Sequence, residues 1–438
     1  MIPHIRSYHL SSLCSLLFAF AAFHVVTAQA EPVVVKGAWI PQLLNRKISE
    51  IRVANAEGTV IPFQIDEVTP EGEYVLSEGK DPNADAGNGV LDSNDEILFM
   101  REDAGCCGND SLNVALHEMS GVSWMPVYLK SDEGISVVYI GSASSLQCSD
   151  KRYIAYDHSI QEISTPFYFA RFAPDRFHFL RAGIIDEKGR RCALTRELRV
   201  EIALKALWGL LPIHYTEDNL VCYVKRYKAG PIRCIRRGDF HLRLGLGLKG
   251  SRAAVNQICY PRMVSVPVKV HIPVKFSRFF SDAWMEMTPV IDTAGQSFAF
   301  RVPECGIEHS FEASSFIDTL YQCMPVRKFF TVTDGNAGYG WYLDTDMPDS
   351  AMKGSGFVVR PTLQRQGIAL CGFRLIIREV QKGRYTVTNR VFFPGERENC
   401  AAVKRHLLTS PCRVITASCS EINPAGSANP GIEGTKND

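Results

Sequence analysis

The chain has 438 residues, a formal net charge of +1, 46% hydrophobic residues and 22% charged residues. A charge this close to zero gives no support for nucleic acid or an anionic membrane surface as a partner. The composition is that of an ordinary globular protein, and the length leaves room for two or three domains.

The first thirty residues read as a signal peptide. His4 and Arg6 supply a basic start, Leu13 to Val26 an apolar stretch, and Ala28-Gln29-Ala30 a cleavage site. The mature chain is expected to begin at Glu31, in the periplasm or outside the cell. No later run reaches ~18 consecutive apolar residues, so no transmembrane segment is expected after cleavage. The chain carries 14 cysteines, and losing Cys14 with the leader leaves an odd number. At least one thiol is then free or bonded to a partner, and some disulfides are expected in an oxidising compartment. Adjacent Cys106 and Cys107 would close a strained ring if bonded to each other.

Residues 31–145 read as a small β module. Short strands are expected at Pro32 to Lys36, Ile51 to Val53, Val60 to Ile65, Tyr74 to Leu76 and Ile97 to Met100, then at Val127 to Leu129 and Ile135 to Ile140. The Gly/Ser-rich stretch from Gly141 to Ser149 suggests a domain boundary. Beyond it, residues 151–415 read as a large antiparallel β-sandwich. Leu198 to Leu204 alternates apolar and polar and favours a strand, although Leu194 to Leu211 also partly fits a helix. Phe240 to Lys249 alternates strictly, with Gly245-Leu246-Gly247 inside the ladder, and Val264 to Val274 does the same. Pro267 and Pro273 suit an edge strand. The basic faces of these strands would either line a groove for an acidic ligand or blunt an exposed edge, edge protection being the simpler reading. Ser310 to Thr319 is the best helix candidate, and residues 418–438 read as a disordered tail.

The densest chemistry lies between Asp81 and Glu96. Asp81, Asn83, Asp85 and Asp92 stand at alternating and closing positions of a calcium-loop pattern, and Asn94, Asp95 and Glu96 offer a second frame. Ala86 stands where the turn wants glycine, and Asp92 where a glutamate would close the loop. A calcium site and a plain Gly/Asn/Asp turn therefore both remain open. Asp66 and Glu67 could reach the same loop, but neighbours on a strand face opposite sides. Asp344 and Asp346 read as an exposed turn. His214, Tyr215 and Arg233 are residue types a polysaccharide lyase uses to move a proton and neutralise a sugar carboxylate, although two ordinary strand residues beside a basic turn is the simpler reading. Trp341 and Tyr339, flanked by Gly338 and Gly340, suggest an exposed loop for stacking on a sugar, while the other tryptophans read as core anchors. No nucleophile elbow, zinc-protease motif or phosphate loop occurs.

With Pro62-Phe63-Gln64-Ile65-Asp66-Glu67 and Leu91-Asp92-Ser93-Asn94-Asp95-Glu96-Ile97-Leu98-Phe99-Met100 in view, the chain resembles a group of uncharacterised exported bacterial proteins that begin with such a module. Gly230-Pro231-Ile232-Arg233, followed by Arg236-Arg237, resembles the same group. The resemblance implies export and a β-rich fold and supplies no activity. A fainter similarity to β-sandwich domains of carbohydrate-active proteins is one of fold. The expectation that follows is a non-catalytic surface or glycan-binding protein, assisted by calcium. The alternatives are a polysaccharide lyase, or a structural partner of an envelope protein for which the odd cysteine offers a covalent handle.

Overall fold

The computed structural model describes residues 32–106, 124–131, 134–174, 179–186, 188–206, 209–245, 248–272, 275, 280–292, 298–310, 319–321, 328–333, 338–360, 368–377, 380–394 and 413–415. The predicted leader, the Ser310 to Thr319 helix and the C-terminal tail fall almost wholly outside them. The described chain is mainly β and antiparallel throughout, and none of its helices is long and apolar enough to cross a membrane.

Eight strands form in the N-terminal part: β1 (Pro32–Lys36), β2 (Ile51–Asn55), β3 (Phe63–Asp66), β4 (Glu78–Gly79), β5 (Glu96–Met100), β6 (Gly105–Cys106), β7 (Trp124–Ser131) and β8 (Gly134–Ser142). β1, β5 and β3 make one small sheet, and β2, β8 and β7 make another. Val33, Val35, Ile97 and Phe99 from the first pack with Val53, Val127, Val138 and Ile140 from the second. These positions recur every second residue, which is why each strand has one apolar face to bury. Fully burying each such side chain contributes about 1.5–3 kcal/mol.

The strands beyond the boundary follow. They are β9 (Ala155–Asp157), β10 (Glu162–Ser164), β11 (Tyr168–Phe172), β12 (Phe179–Ile185), β13 (Arg191–Ala206), β14 (Leu211–Thr216), β15 (Leu220–Ala229), β16 (Cys234–Gly245), β17 (Leu248–Cys259) and β18 (Met263–Ile272). Then come β19 (Phe280–Asp292), β20 (Ala299–Val302), β21 (Ile307–Ser310), β22 (Thr319–Tyr321), β23 (Lys328–Thr333), β24 (Gly338–Thr345), β25 (Gly356–Arg360), β26 (Ile368–Ile376), β27 (Gly383–Phe392) and β28 (Arg413–Ile415). One sheet runs β22-β25-β26-β19-β13-β12-β11-β10-β9, with β14 also on β13; the other runs β21-β20-β23-β24-β27-β18-β17-β16-β15-β4. Their inner faces meet in a single core that includes Tyr168, Phe172, Phe300, Phe330, Phe357 and Phe373. Phe330 and Phe373, one from each sheet, sit with ring centroids 5.0 Å apart.

Two connections cross the sequence boundary between module and sandwich. β4 comes from the module but pairs with β15 of the sandwich, Gly79 opposite Arg226 and Glu78 opposite Tyr227. β28 comes at the end of the chain yet pairs with β7 of the module. Gly79 has φ +113°, and a Cβ there would meet the Lys225 carbonyl oxygen at 2.5 Å, so only glycine suits this crossing.

Several expectations shift. Leu194 to Leu211 is no helix: β13 and β14 pair across it. Tyr74 to Leu76 is not a strand, since Tyr74 makes only an isolated bridge to Val68. The Phe240 to Lys249 run is not one ladder. Gly245 pairs with Leu248, so the chain turns back within the run. Alternation alone does not reveal such a reversal. The edge reading of Val264 to Val274 is half met. β18 pairs with β27 along its length but with β17 only at Val264 and Ser265.

Candidate functional site

The Gln64 to Glu67 segment and the Gly230 to Arg237 segment, far apart in sequence, meet at one junction. Gln64 and Asp66 share a face of β3, two residues apart. Gln64 Nε2 donates to both Asp66 carboxylate oxygens, at 3.0 and 2.9 Å, and its Oε1 accepts the backbone N–H groups of Ile232 and Arg233. Gly230 makes room, since a Cβ there would fall 1.9 Å from Gln64 Oε1. Arg233 Nε donates to Asp66 Oδ2 at 2.6 Å, and its other nitrogens reach Glu96 and the Tyr260 hydroxyl. Lys228 Nζ adds a bond to Asp66 Oδ1 at 2.9 Å, Lys36 pairs with Glu96, and the Tyr74 hydroxyl donates to Glu96 Oε2.

Arg233 and Asp66 are each 1% exposed. Burial pushes the Asp66 carboxyl up, but Arg233 and then Lys228 pull it further the other way, so it ends below its ordinary value. Glu96 follows the same pattern, with burial opposed by Arg233 and Lys36. Charges paired in this way, with the Gln64 amide spanning the gap, staple module to sandwich. The other two arginines have separate tasks. Arg236 lies over the Phe172 ring at 4.2 Å and donates to Gln161 and Gln257, and Arg237 pairs with Glu73 at 2.7 Å.

The expected lyase residues are not brought together. His214 is exposed on β14 opposite Ala203, and Tyr215 lies opposite Ile202. Both belong to one ten-stranded sheet, while Arg233 leads into the other and is committed to Asp66 and Glu96.

Most of the acidic loop's side chains make contacts within the module or to the sandwich. Glu67 turns away from Asp66, as adjacent strand residues must, and its Oε1 accepts the N–H groups of Asn88 and Gly89. Asn83 Oδ1 accepts from Leu76 N–H, and Asn94 Nδ2 donates to the Val68 and Thr69 carbonyls. Asp95 accepts from the Val68 and Asp92 amides; burial drives its carboxyl above the ordinary value, against the pull of those two amides. Asp92 accepts from the Asn88 side chain, Asp81 pairs with Arg226 at 3.0 Å, and Asp85 is exposed. Among the described residues no group of three His, Cys, Asp or Glu side chains is placed to hold a metal ion. Asp344 and Asp346 are exposed; the first pairs with Arg390 and the second accepts the Thr386 N–H.

Trp341 and Tyr339 are not in a loop. Both lie in β24 and are 2% exposed. Gly338 serves close strand approach, since a Cβ on it would sit 2.3 Å from the Val332 carbonyl oxygen. Trp341 Nε1 donates to Asn389 Oδ1 at 3.2 Å, deep between the sheets.

That interior is not filled. A cavity of about 590 Å³ lies between the two sheets, with Trp341 in its wall. Leu198, Val200, Met285, Met287 and Leu375 line it from one sheet; Val266, Val268, Leu343, Val387 and Val391 line it from the other. Leu198, Val266, Val268, Met285 and Val387 are only half-buried, because the void reaches their side chains. Gln257, Thr345, Asn389 and His271 are its few polar members. The sequence marks these valines and leucines as core by alternation, but carries no signal that the core is hollow.

No family model matches the chain, and no curated protein does. Among solved structures it is similar to an α-mannosidase from Enterococcus faecalis, at 9% identity and a TM-score of 0.45 over 89% of this chain; it spans 44% of that enzyme's length. A protein in glycosyl hydrolase family 38 from the same organism gives 9%, 0.43 and 88%, covering 46% of its own chain. A galactose mutarotase-like protein from Clostridium acetobutylicum gives 9% and 0.37 over 56% of this chain and 100% of its own. Likenesses this distant carry no functional argument.

Proposed function

We propose that the protein is an exported, non-catalytic binding protein whose ligand is held between the two sheets of the sandwich. The observation that carries the reading is the cavity of about 590 Å³, a size that suits a small ligand, with walls that are almost wholly apolar. An unfilled core of this size forfeits packing contacts that the alternating strands could have made. The candidates for chemistry support a non-catalytic role. His271 is the one titratable side chain among the cavity's described lining residues, and it is exposed at the rim. Arg233 is spent on Asp66 and Glu96. Export rests on the leader-like first thirty residues. A glycan ligand loses its sequence support, because Trp341 and Tyr339 face inward.

The test is titration of the mature protein with a polarity-sensitive apolar dye, beside retention and chain-end assays on acidic and neutral polysaccharides. Saturable dye binding that Val268→Phe abolishes, with no new chain ends, supports the reading. Polysaccharide cleavage, or a dye signal indifferent to Val268, removes it.

A further inference from the structure

Resting on that reading, we infer that the ligand is an extended peptide segment of a partner protein. It adds as a strand to a free edge of β18, sends alternate apolar side chains into the cavity, and sets acidic ones beside Lys269 and Arg384.

The sheet that carries this edge is split. β17 and β18 run for 12 and 10 residues, yet they pair only at Ile258 with Ser265 and Cys259 with Val264. Continuing that register would set Pro267 opposite Asn256. Proline has no N–H to give, so the ladder stops there. At the fork, Asn256 Oδ1 is buried and accepts no hydrogen bond from the described residues. Met263 and Tyr260 exchange N–H···O bonds across the hairpin, at 2.7 and 3.4 Å, so the backbone groups of Met263 face β17. Successive residues of a strand present these groups to opposite sides. The uninterrupted register of β18 with β27 carries that alternation to Ile272. Pro267, Lys269 and His271 therefore turn their backbone groups to the side that β17 has left. Among the described residues no strand pairs with them there.

The cavity lies beneath the split. Val266 and Val268 wall it from β18, while Gln257, Phe240 and Leu220 wall it from β17, β16 and β15 across the gap. A polar backbone edge above an apolar void suits one class of occupant. Another strand meets the edge's N–H and C=O groups, and its period of two puts every second side chain into the void. From Val266 to Ile272 the edge is about 20 Å long, room for a strand of ordinary length. The outer face selects for charge. Exposed Lys269, and exposed Arg384 opposite His271, have no ion-pair partner among the described residues. Asp346, the acid nearby in register, accepts the Thr386 N–H. Positive charge left over in this way favours Glu or Asp at the outward positions of the added strand. The chain's own residues after Ile415 do not suit the part, because Pro424 and Pro430 interrupt them.

The probe is the peptide acetyl-Glu-Val-Glu-Val-Glu-Val-Glu-amide, carrying a fluorophore for anisotropy. Acetyl-Glu-Glu-Glu-Glu-Val-Val-Val-amide is the composition control. The alternating peptide should bind saturably, displace the apolar dye, and slow amide hydrogen exchange at Lys269 and His271 at least about tenfold, and the control should do none of these. Lys269→Pro removes an N–H from the open side and none from the β27 side. It should weaken the peptide at least about tenfold and leave dye binding unchanged, with circular dichroism as the check on folding. Val268→Phe should weaken both. If the dye binds but the peptide does not, or fails to displace it, or protects neither amide, or is matched by the control, the strand inference is overturned and the binding reading survives. Equal affinity for Lys269→Pro has the same consequence. Slow exchange at both amides in the free protein would show the edge already covered and overturn the inference too. If the dye does not bind, the binding reading itself falls and the inference with it.

Discussion

The junction and the cavity solve opposite problems with opposite materials. At the junction Arg233 and Lys228 aim their donors at Asp66 and Glu96, and Arg233 and Asp66 are almost wholly buried. Between the sheets the side chains are apolar and the space is open. Buried charge tolerates no slack, because an unpaired partner costs several kcal/mol. Apolar walls do tolerate it, because a dry gap loses only dispersion contacts. A rigid frame and an adaptable interior can therefore coexist in one chain.

The sharpest way to break the contrast is Arg233→Met. It strands Asp66 and Glu96 in the interior and should cost about 3–5 kcal/mol, read as a lowered midpoint in urea unfolding. A loss below about 1 kcal/mol would mean that the junction is a surface contact. Gly230→Ala should be the next most costly change, because the new methyl collides with the Gln64 amide. A loss of about 1–3 kcal/mol by the same measurement is expected, partly rescued by Gln64→Ala. At the cavity the expectation reverses. Val268→Phe fills space and should shift stability by no more than about 1 kcal/mol in either direction while removing dye binding.

Acid sharpens the comparison further. Asp66 and Glu96 titrate below their ordinary values of 3.8 and 4.5 when folded, so the folded state holds fewer protons there than the unfolded chain. Their contribution is fully present above those ordinary values and is lost as pH falls through the lower folded ones. The urea midpoint should drop steeply below about pH 4.5 in the native protein and less steeply in Arg233→Met. The smallest effect concerns thiols. Burial raises the Cys222 and Cys259 thiols to about 12 and pushes Cys234 and Cys371 well above the usual range. Maleimide should label exposed Cys148 in the native protein and reach those four only on unfolding.

The sequence displayed the strands well wherever one face is buried and the other wet. Val264 to Ile272 and Leu198 to Leu204 alternate so strictly that the face each residue takes was readable directly. It also displayed the two halves of the junction, as the Gln64-Ile65-Asp66-Glu67 and Gly230 to Arg237 segments, without showing that they touch. Other features were hidden for physical reasons. A glycine that ends a strand before a reversal (Gly245) and one that permits close strand approach (Gly338) are the same letter. Alternation assigns a side chain to an inner face but says nothing about the distance to the facing sheet. Oxygen ligands for a cation and oxygen acceptors for backbone amides are also the same residues, and Asn83 and Asp95 each accept a backbone N–H.

The two-residue strand at Glu78 and Gly79 changes what counts as a separable piece of this protein. Where the chain passes from module to sandwich there is a linker, but in hydrogen bonds the sheet that contains β15 does not end until the module's own backbone has closed it. A fragment cut at residue 151 would keep its core and lose its border, leaving the backbone groups of Arg226 and Tyr227 as a template for another chain. Its failure would take the form of self-association rather than unfolding. The shortest well-behaved unit then runs from β1 through the return strand at Arg413–Ile415, which pairs with β7 near the front of the same chain.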